Sequence, residues 1–205
     1  MQPNPETLRA IWGKDAPQHG RTPAIALINP KKADNVAKVV RLASCYGVGQ
    51  VWWTGNRVEL DVTAKNRLPR EERMKGYRDV SMIQHDELFD QFPRGTIPVA
   101  IEVRENAENL LTFEHPDNPL YVFGPEDGSI PKWALSRCHR FVVIPTRHCL
   151  NLATAVATIL WDRHYHAFMN AETADEEEHF KLAPGDWEQR GCRPREPEEV
   201  LQQRG

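Results

Sequence analysis

Three short segments place polar side chains where an apolar run ends in a turn. In the first, Asn29-Pro-Lys-Lys-Ala-Asp-Asn35 leads into a helical stretch that carries Arg41. If Val36, Val39, Val40 and Ala43 face a sheet, Arg41 sits about 140° round the helix from Val36 and overhangs a cleft at the strand's carboxyl end. A solvated charge on a helix flank describes Arg41 equally well. In the second, Gly124 follows the apolar run ending at Phe123, where a missing side chain lets a ligand approach the backbone, and Glu126 enters the same cleft. Gly, Pro, Asp and Ser would also make a plain strand-to-helix turn. In the third, Pro145 ends a strand after Ile144, and Asn151 stands where a side chain would cap the following helix. These loops, after Ile28, Phe123 and Ile144, are where an active site is expected.

These loops need rigid elements behind them. Short apolar or β-branched runs ended by Gly, Pro or Asn predict strands at 24–28, 49–54, 97–103, 120–123 and 140–144. Val36, Val39, Val40, Ala43 and Gly47 share one helical face, and Pro131 is placed to open a shorter helix containing Leu135. The last helix is the longest: Ala153, Val156, Ala157, Leu160, Trp161, His164, Tyr165 and Phe168 keep an i, i+3, i+4, i+7 rhythm. Strands alternating with helices predict an α/β domain, a mostly parallel sheet flanked by helices, whose ligands bind beyond the carboxyl ends of the strands. Gly-x-Gly-x-x-Gly is absent, and Gly47-Val-Gly49 precedes a strand instead of following one, which weakens a dinucleotide-binding oxidoreductase as the alternative.

The 205 residues allow one domain with a sizeable core. We expect an N-terminal extension over 1–23, with a short helix near Leu8, Ile11 and Trp12, a domain over 24–170, and an acidic, mobile tail over 171–205. No run is apolar enough for a membrane span and the start lacks a signal-peptide pattern, so the expected address is the cytoplasm. The cysteines Cys45, Cys138, Cys149 and Cys192 are scattered and read as reduced thiols. His164 and His166, two apart on a helix, point in different directions and are not read as metal ligands. The net charge of −3 hides an asymmetry, because the tail holds ten acidic against five basic residues. Within the body, Lys65, Arg67, Arg70, Arg73, Lys75 and Arg78 crowd together as an expected RNA-binding, phosphate-contacting patch, with a solvated helix face as the alternative.

Taken in order, Asn35 with Arg41, Phe-Gly-Pro-Glu at 123–126, and Ile144-Pro145 leading to Cys-Leu-Asn at 149–151 resemble the three signature motifs of the SpoU branch of SPOUT methyltransferases. The resemblance covers about residues 24–170. It implies an RNA ribose 2′-O-methyltransferase that uses S-adenosyl-L-methionine, folded with a C-terminal deep trefoil knot and paired as a homodimer. It also implies that Phe123, Gly124, Ile144, Pro145, Cys149 and Leu150 bind the cofactor, while Asn35, Arg41, Glu126 and Asn151 surround the reacting ribose. A guanidinium with a pKa above ~12 has no free lone pair, so Arg41 is assigned to phosphate or oxyanion charge, not to proton abstraction. Compact size favours transfer RNA over ribosomal RNA as the partner. The sequence departs from the pattern at Cys149, where Ser is usual, and at Ser129, where Gly is usual. Its 145–151 stretch is about three residues shorter, so that Arg147 or His148 would rebuild the pocket wall. That contraction keeps a SPOUT-like RNA-binding protein without catalysis as the competing reading.

Overall fold

A computed structural model describes residues 20, 22–58 and 80–170. The expected N-terminal helix, the basic run at 65–78 and the acidic tail lie outside the described residues. Seven strands form one parallel sheet: β1 (Ala24–Leu27), β2 (Gln50–Trp53), β3 (Ser81–Gln84), β4 (Ile97–Ile101), β5 (Glu108–Asn109), β6 (Pro119–Phe123) and β7 (Arg140–Val143). Their spatial order is β3-β2-β1-β6-β4-β7-β5. Among the described residues the helices are α1 (Ala33–Cys45), α2 (Lys132–Leu135) and α3 (Leu152–Asn170), with 3₁₀ turns at Leu88–Gln91 and Leu110–Thr112.

The central strands are apolar throughout because both sheet faces are covered. Every residue of β1 and β6 is buried, and Ala24 pairs with Leu120 through to Leu27 with Phe123. Alternation then sorts the side chains between two cores. Ile25, Leu27, Tyr121 and Phe123 face α1 and α3, packing with Val36, Val39, Val40, Ala43, Val156 and Ile159. Ala24, Ala26, Ile28, Leu120 and Val122 face the other side, against Leu88, Ile130 and Ala134.

Three expectations shift. Gly47 does not continue the apolar face of α1, which ends at Cys45; its φ of 68° places it in the left-handed region where a helix terminates. On α3 the buried stripe is Leu152, Ala153, Val156, Ile159 and Leu160, while Trp161 is 56% and Tyr165 48% exposed. The i, i+3, i+4 rhythm is satisfied by two overlapping stripes, and only packing chooses between them. Strands β3 and β5 are additions at the two edges: β5 is two exposed polar residues, and β3 offers only Met82 and Ile83 between polar ends, too short a run to mark a strand.

A buried polar link fastens α3 to the sheet. His115 and Tyr121 share a hydrogen bond of 2.7 Å, and His115 Nε2 lies 2.9 Å from Asp162 Oδ2. Burial pushes the His115 imidazole below its ordinary pKa, only partly opposed by Asp162. The neutral ring therefore donates from Nε2 to the carboxylate and accepts the Tyr121 hydroxyl at Nδ1. The free cysteines among the described residues are Cys45, Cys138 and Cys149. No described helix is long and apolar enough to cross a membrane.

Ile159 is almost wholly buried between α3 and the sheet. Ile159→Ala should lower the unfolding free energy by about 2–5 kcal/mol, the cost of lost burial plus the residual cavity, measured as a shift in the urea midpoint.

Candidate active site

The carboxylate of Glu126 joins the first two polar loops. Its Oε2 accepts from the Lys31 backbone N–H at 2.6 Å, and its Oε1 accepts from the Lys32 N–H at 3.2 Å and from Asn35 Nδ2 at 2.7 Å. The two amides lie at the start of α1, where unpaired N–H groups and the helix dipole favour a negative charge. Asn35 Oδ1 in turn accepts from Asn151 Nδ2 at 3.3 Å, and Asn151 Oδ1 accepts from Ala153 N at 2.9 Å. That last bond is the helix cap expected of Asn151. One chain of hydrogen bonds thus runs from β6's exit loop, through the buried Asn35, to the start of α3.

Burial raises the Glu126 pKa, but the hydrogen bonds from Asn35 and from the Lys31 and Lys32 amides outweigh it and leave the carboxyl below its ordinary value. Ionised and already accepting three N–H groups, Glu126 is a weak proton acceptor. Its work is positional. Asn35 is buried within this chain, whereas Asn151 is exposed and has a second amide hydrogen.

The loop after β6 is clamped at two further points that the sequence reading missed. Arg57 holds Asp127 through two bonds of 3.0 and 2.7 Å and also donates to the Asn29 carbonyl at 3.4 Å, while Lys31 Nζ lies 3.2 Å from Asp127. The bond from Arg57, then that from Lys31, holds Asp127 far below the ordinary carboxylate range. Glu102, just beyond β4, accepts from Ile130 N at 2.8 Å and from Val103 N at 3.1 Å. Asp127 follows Glu126 directly, and Glu102 is a charge closing an apolar strand; both were available as signals. Arg57 had none, since its partner is 70 residues away.

Gly124 has a different immediate reason from the one expected. A Cβ there would stand 3.0 Å from Ile130 N and 3.1 Å from Ile130 Cγ1, so the loop's own return stroke requires glycine. Phe123 is buried core. Ile144 is half-buried, and Pro145, Cys149 and Leu150 lie exposed on the loop between β7 and α3, where Thr146 Oγ1 donates to the His148 carbonyl at 2.8 Å. Arg41 is exposed, about 9 Å further along α1 than Asn35 at ~1.5 Å rise per residue, and outside the Glu126–Asn35–Asn151 chain. One cleft of about 590 Å³ opens beside Glu102, Val103, Ser129 and Phe141, and another of about 550 Å³ beside Asn29, Asn56 and Trp133. None of the expected cofactor residues lines these two clefts.

A parallel α/β sheet with polar side chains gathered in loops at the strands' carboxyl ends is the arrangement in which open α/β folds bind ligands. The family model described as the SpoU rRNA Methylase family matches residues 23–161, and the chain belongs to that family. Solved structures of similar fold include an AdoMet-bound rRNA methyltransferase from Sinorhizobium meliloti, 20% identical over 73% of this chain and 58% of that one, TM-score 0.58. The A. aeolicus TrmH/SpoU tRNA modifying enzyme is 18% identical over 84% of this chain and 89% of its own, TM-score 0.59. A structure described under 2-OH methylation of C/U34 on tRNA is 23% identical over 70% and 95%, TM-score 0.58. This chain therefore spans little more than half of the S. meliloti enzyme but most of the other two. No curated protein matches the sequence.

Because the folded pKa of Glu126 lies below its reference of 4.5, its contribution to stability is complete above that value and is lost as pH falls through the lower, folded one. Glu126→Gln should therefore lower the melting temperature at pH 7 and flatten its decline over the window in which pH falls below 4.5, relative to wild type. Parallel melting curves for the two proteins across that window would contradict this role.

Proposed function

We propose that this protein transfers a methyl group from S-adenosyl-L-methionine to a ribose 2′-hydroxyl in RNA, with transfer RNA preferred over ribosomal RNA. The observation that carries the reading is the hydrogen-bonded chain Glu126–Asn35–Asn151, which unites the three polar loops at one place. The membership of a methylase family supports it, as do AdoMet in the S. meliloti structure and tRNA in the descriptions of two of the similar enzymes.

The residues fit the cofactor. Leu150, an apolar side chain left 36% exposed on the loop that leaves half-buried Ile144, would offer apolar surface to an adenine ring, and the backbone of the 144–150 loop would offer amides for its edge. When bound, S-adenosylmethionine supplies an electrophilic methyl group on a cationic sulfur. Gly124, Ile144, Pro145, Cys149 and Leu150 are assigned to holding it, with Phe123 contributing backbone only. Asn35 and Asn151 orient the ribose, Glu126 keeps Asn35 in place, and Arg41 faces the target phosphate or the developing oxyanion. The basic residues Lys65, Arg67, Arg70, Arg73, Lys75 and Arg78 are assigned phosphate contact on charge alone.

The reading extends to assembly and topology. We assign the domain to residues 24–170, with α3 threaded under the loop after Phe123 in a trefoil knot, and a cytoplasmic address. A homodimer is supported by α3, whose outward face presents Trp161 and Tyr165 to solvent in the single chain. Two aromatic side chains one turn apart make a surface suited to a second helix.

Incubation with S-adenosylmethionine and transfer RNA should produce alkali-stable dinucleotides, the mark of a methylated 2′-oxygen. Arg41→Ala should keep the melting temperature and cofactor affinity while lowering single-turnover transfer by about a hundredfold or more, the scale of one preorganised charged group. Transfer within threefold of wild type would remove Arg41 from the site, and RNA binding without any transfer by wild type would favour the non-catalytic reading.

Light scattering of the wild type at micromolar concentration should give twice the chain mass of 23.5 kDa. Trp161→Asp combined with Tyr165→Asp should shift it to the monomer. A wild-type monomer would overturn the dimer assignment.

A further inference from the structure

The cleft beside Trp133 is outside every role assigned so far. It opens at the carboxyl ends of β1 and β2 and is bounded by Asn29, Thr54, Asn56, Asp86 and the indole of Trp133. Trp133 is 49% exposed although it lies on α2, whose Ala134 is buried in the core. Its ring meets Phe89 edge-to-face, with centroids 6.2 Å apart at 84°, so one flank is braced while the rest is presented to solvent. A braced, half-exposed indole offers a flat apolar surface whose orientation is already set.

Ile28 and Pro131 add apolar surface to the lining, and the rest of it is polar. The buried Thr54 hydroxyl accepts from Asn29 N at 3.0 Å and fixes that wall of the cleft. Asp86 Oδ1 accepts from Gly55 N at 2.9 Å, and the second carboxylate oxygen remains an acceptor. Asn56 is exposed and carries both donor and acceptor atoms. Asp86 and Glu87 on the rim repel phosphate, which argues against a backbone-binding groove at this point. A planar heterocycle with hydrogen-bonding edges and no charge matches both the ring and the polar rim.

The cleft is also wired to the candidate active site. Asn29 lines it, and the Asn29 carbonyl accepts from Arg57, which holds Asp127 next to Glu126. The two ends of the 29–35 segment thus belong to the two sites, Asn29 lining the cleft and Asn35 joining Glu126 and Asn151. We propose that this cleft is a base-binding subsite, in which Trp133 stacks on an unpaired nucleobase of the RNA substrate while Asn56 and Asp86 meet its edge. The proposal rests on the RNA methyltransferase reading and adds to it a single-stranded requirement near the modified nucleotide. Stacking on an aromatic ring tolerates any base but requires that base to be unpaired.

The test uses the full chain with three probes: a single-stranded hexaribonucleotide, the same strand with abasic positions, and a duplex of equal length. Trp133→Ala should weaken binding of the single strand about five- to a hundredfold, the range for losing one base-stacking ring. Trp133→Phe, which keeps a ring, should stay within about threefold of wild type. The abasic strand should bind wild type as weakly as the intact strand binds Trp133→Ala, with no further loss when both changes are combined. S-adenosylmethionine affinity and melting temperature serve as controls and should be unchanged. Should Trp133→Ala unfold, Asn56→Ala takes its place, with an expected loss of a few-fold on the single strand alone. Equal affinity of wild type and Trp133→Ala for the single strand overturns the subsite while leaving the RNA reading intact. Failure of wild type to bind any of the three RNAs, or transfer RNA, overturns the RNA reading and the subsite with it.

Discussion

The carboxylate of Glu126 is the point on which the site's geometry depends. It accepts from two backbone amides at the start of α1 and from the side chain of Asn35, so a single ionised group fixes the loop before α1, the loop after β6 and the buried amide between them. Placing a negative charge at a helix start uses groups that would otherwise be unpaired. Asn35 then passes the constraint to Asn151, and Asn151 passes it to α3 by capping it. Elements more than a hundred residues apart in sequence are held by three polar side chains.

The sheet makes this convergence available. In a parallel sheet every strand ends on the same edge, and β1 and β6 are adjacent and in register, so their exit loops emerge side by side. The β4 exit adds Glu102 beneath Ile130, and the β2 exit adds Arg57 onto Asp127. The loop after β6 is therefore pinned from the exits of three strands, its neighbours β1 and β4 and, one place further along the sheet, β2. Exposed ion pairs such as Arg57–Asp127 contribute little stability singly, and their value lies in geometry. A loop held this way can present fixed donors to a reacting group without reorganising, which is what electrostatic catalysis requires.

Gly124 and Glu126 show how one residue serves folding and site together. Glycine at 124 is demanded by the approach of Ile130, and the turn it permits brings Glu126 to α1. The same double duty appears at α3. Its inward stripe fills the core against the sheet, the His115–Asp162 link anchors it, and its outward aromatic residues remain on the surface of the single chain.

Much was legible in the sequence because the relevant forces are local. β1 and β6 announced themselves as continuous apolar runs, since a strand buried on both faces has no polar side to show, while β2, β4 and β7 were marked by shorter apolar stretches between turn residues. Asn151 as a helix cap and the exit of each loop at a Gly, Pro or Asn followed from backbone sterics and unpaired amides. The order of the three polar loops, with Asn35, Glu126 and Asn151 in them, was likewise readable. What the sequence left open was decided by contacts between distant segments. The buried stripe of α3, the partner of Glu126, the Arg57–Asp127 and Glu102–Ile130 clamps and the edge strands β3 and β5 each depend on which surfaces meet. Periodicity can say that a helix has an apolar face, but where stripes overlap only the shape of the opposing sheet selects one. A hydrogen bond across 91 residues, such as that from Asn35 to Glu126, leaves no mark in the local pattern of either residue.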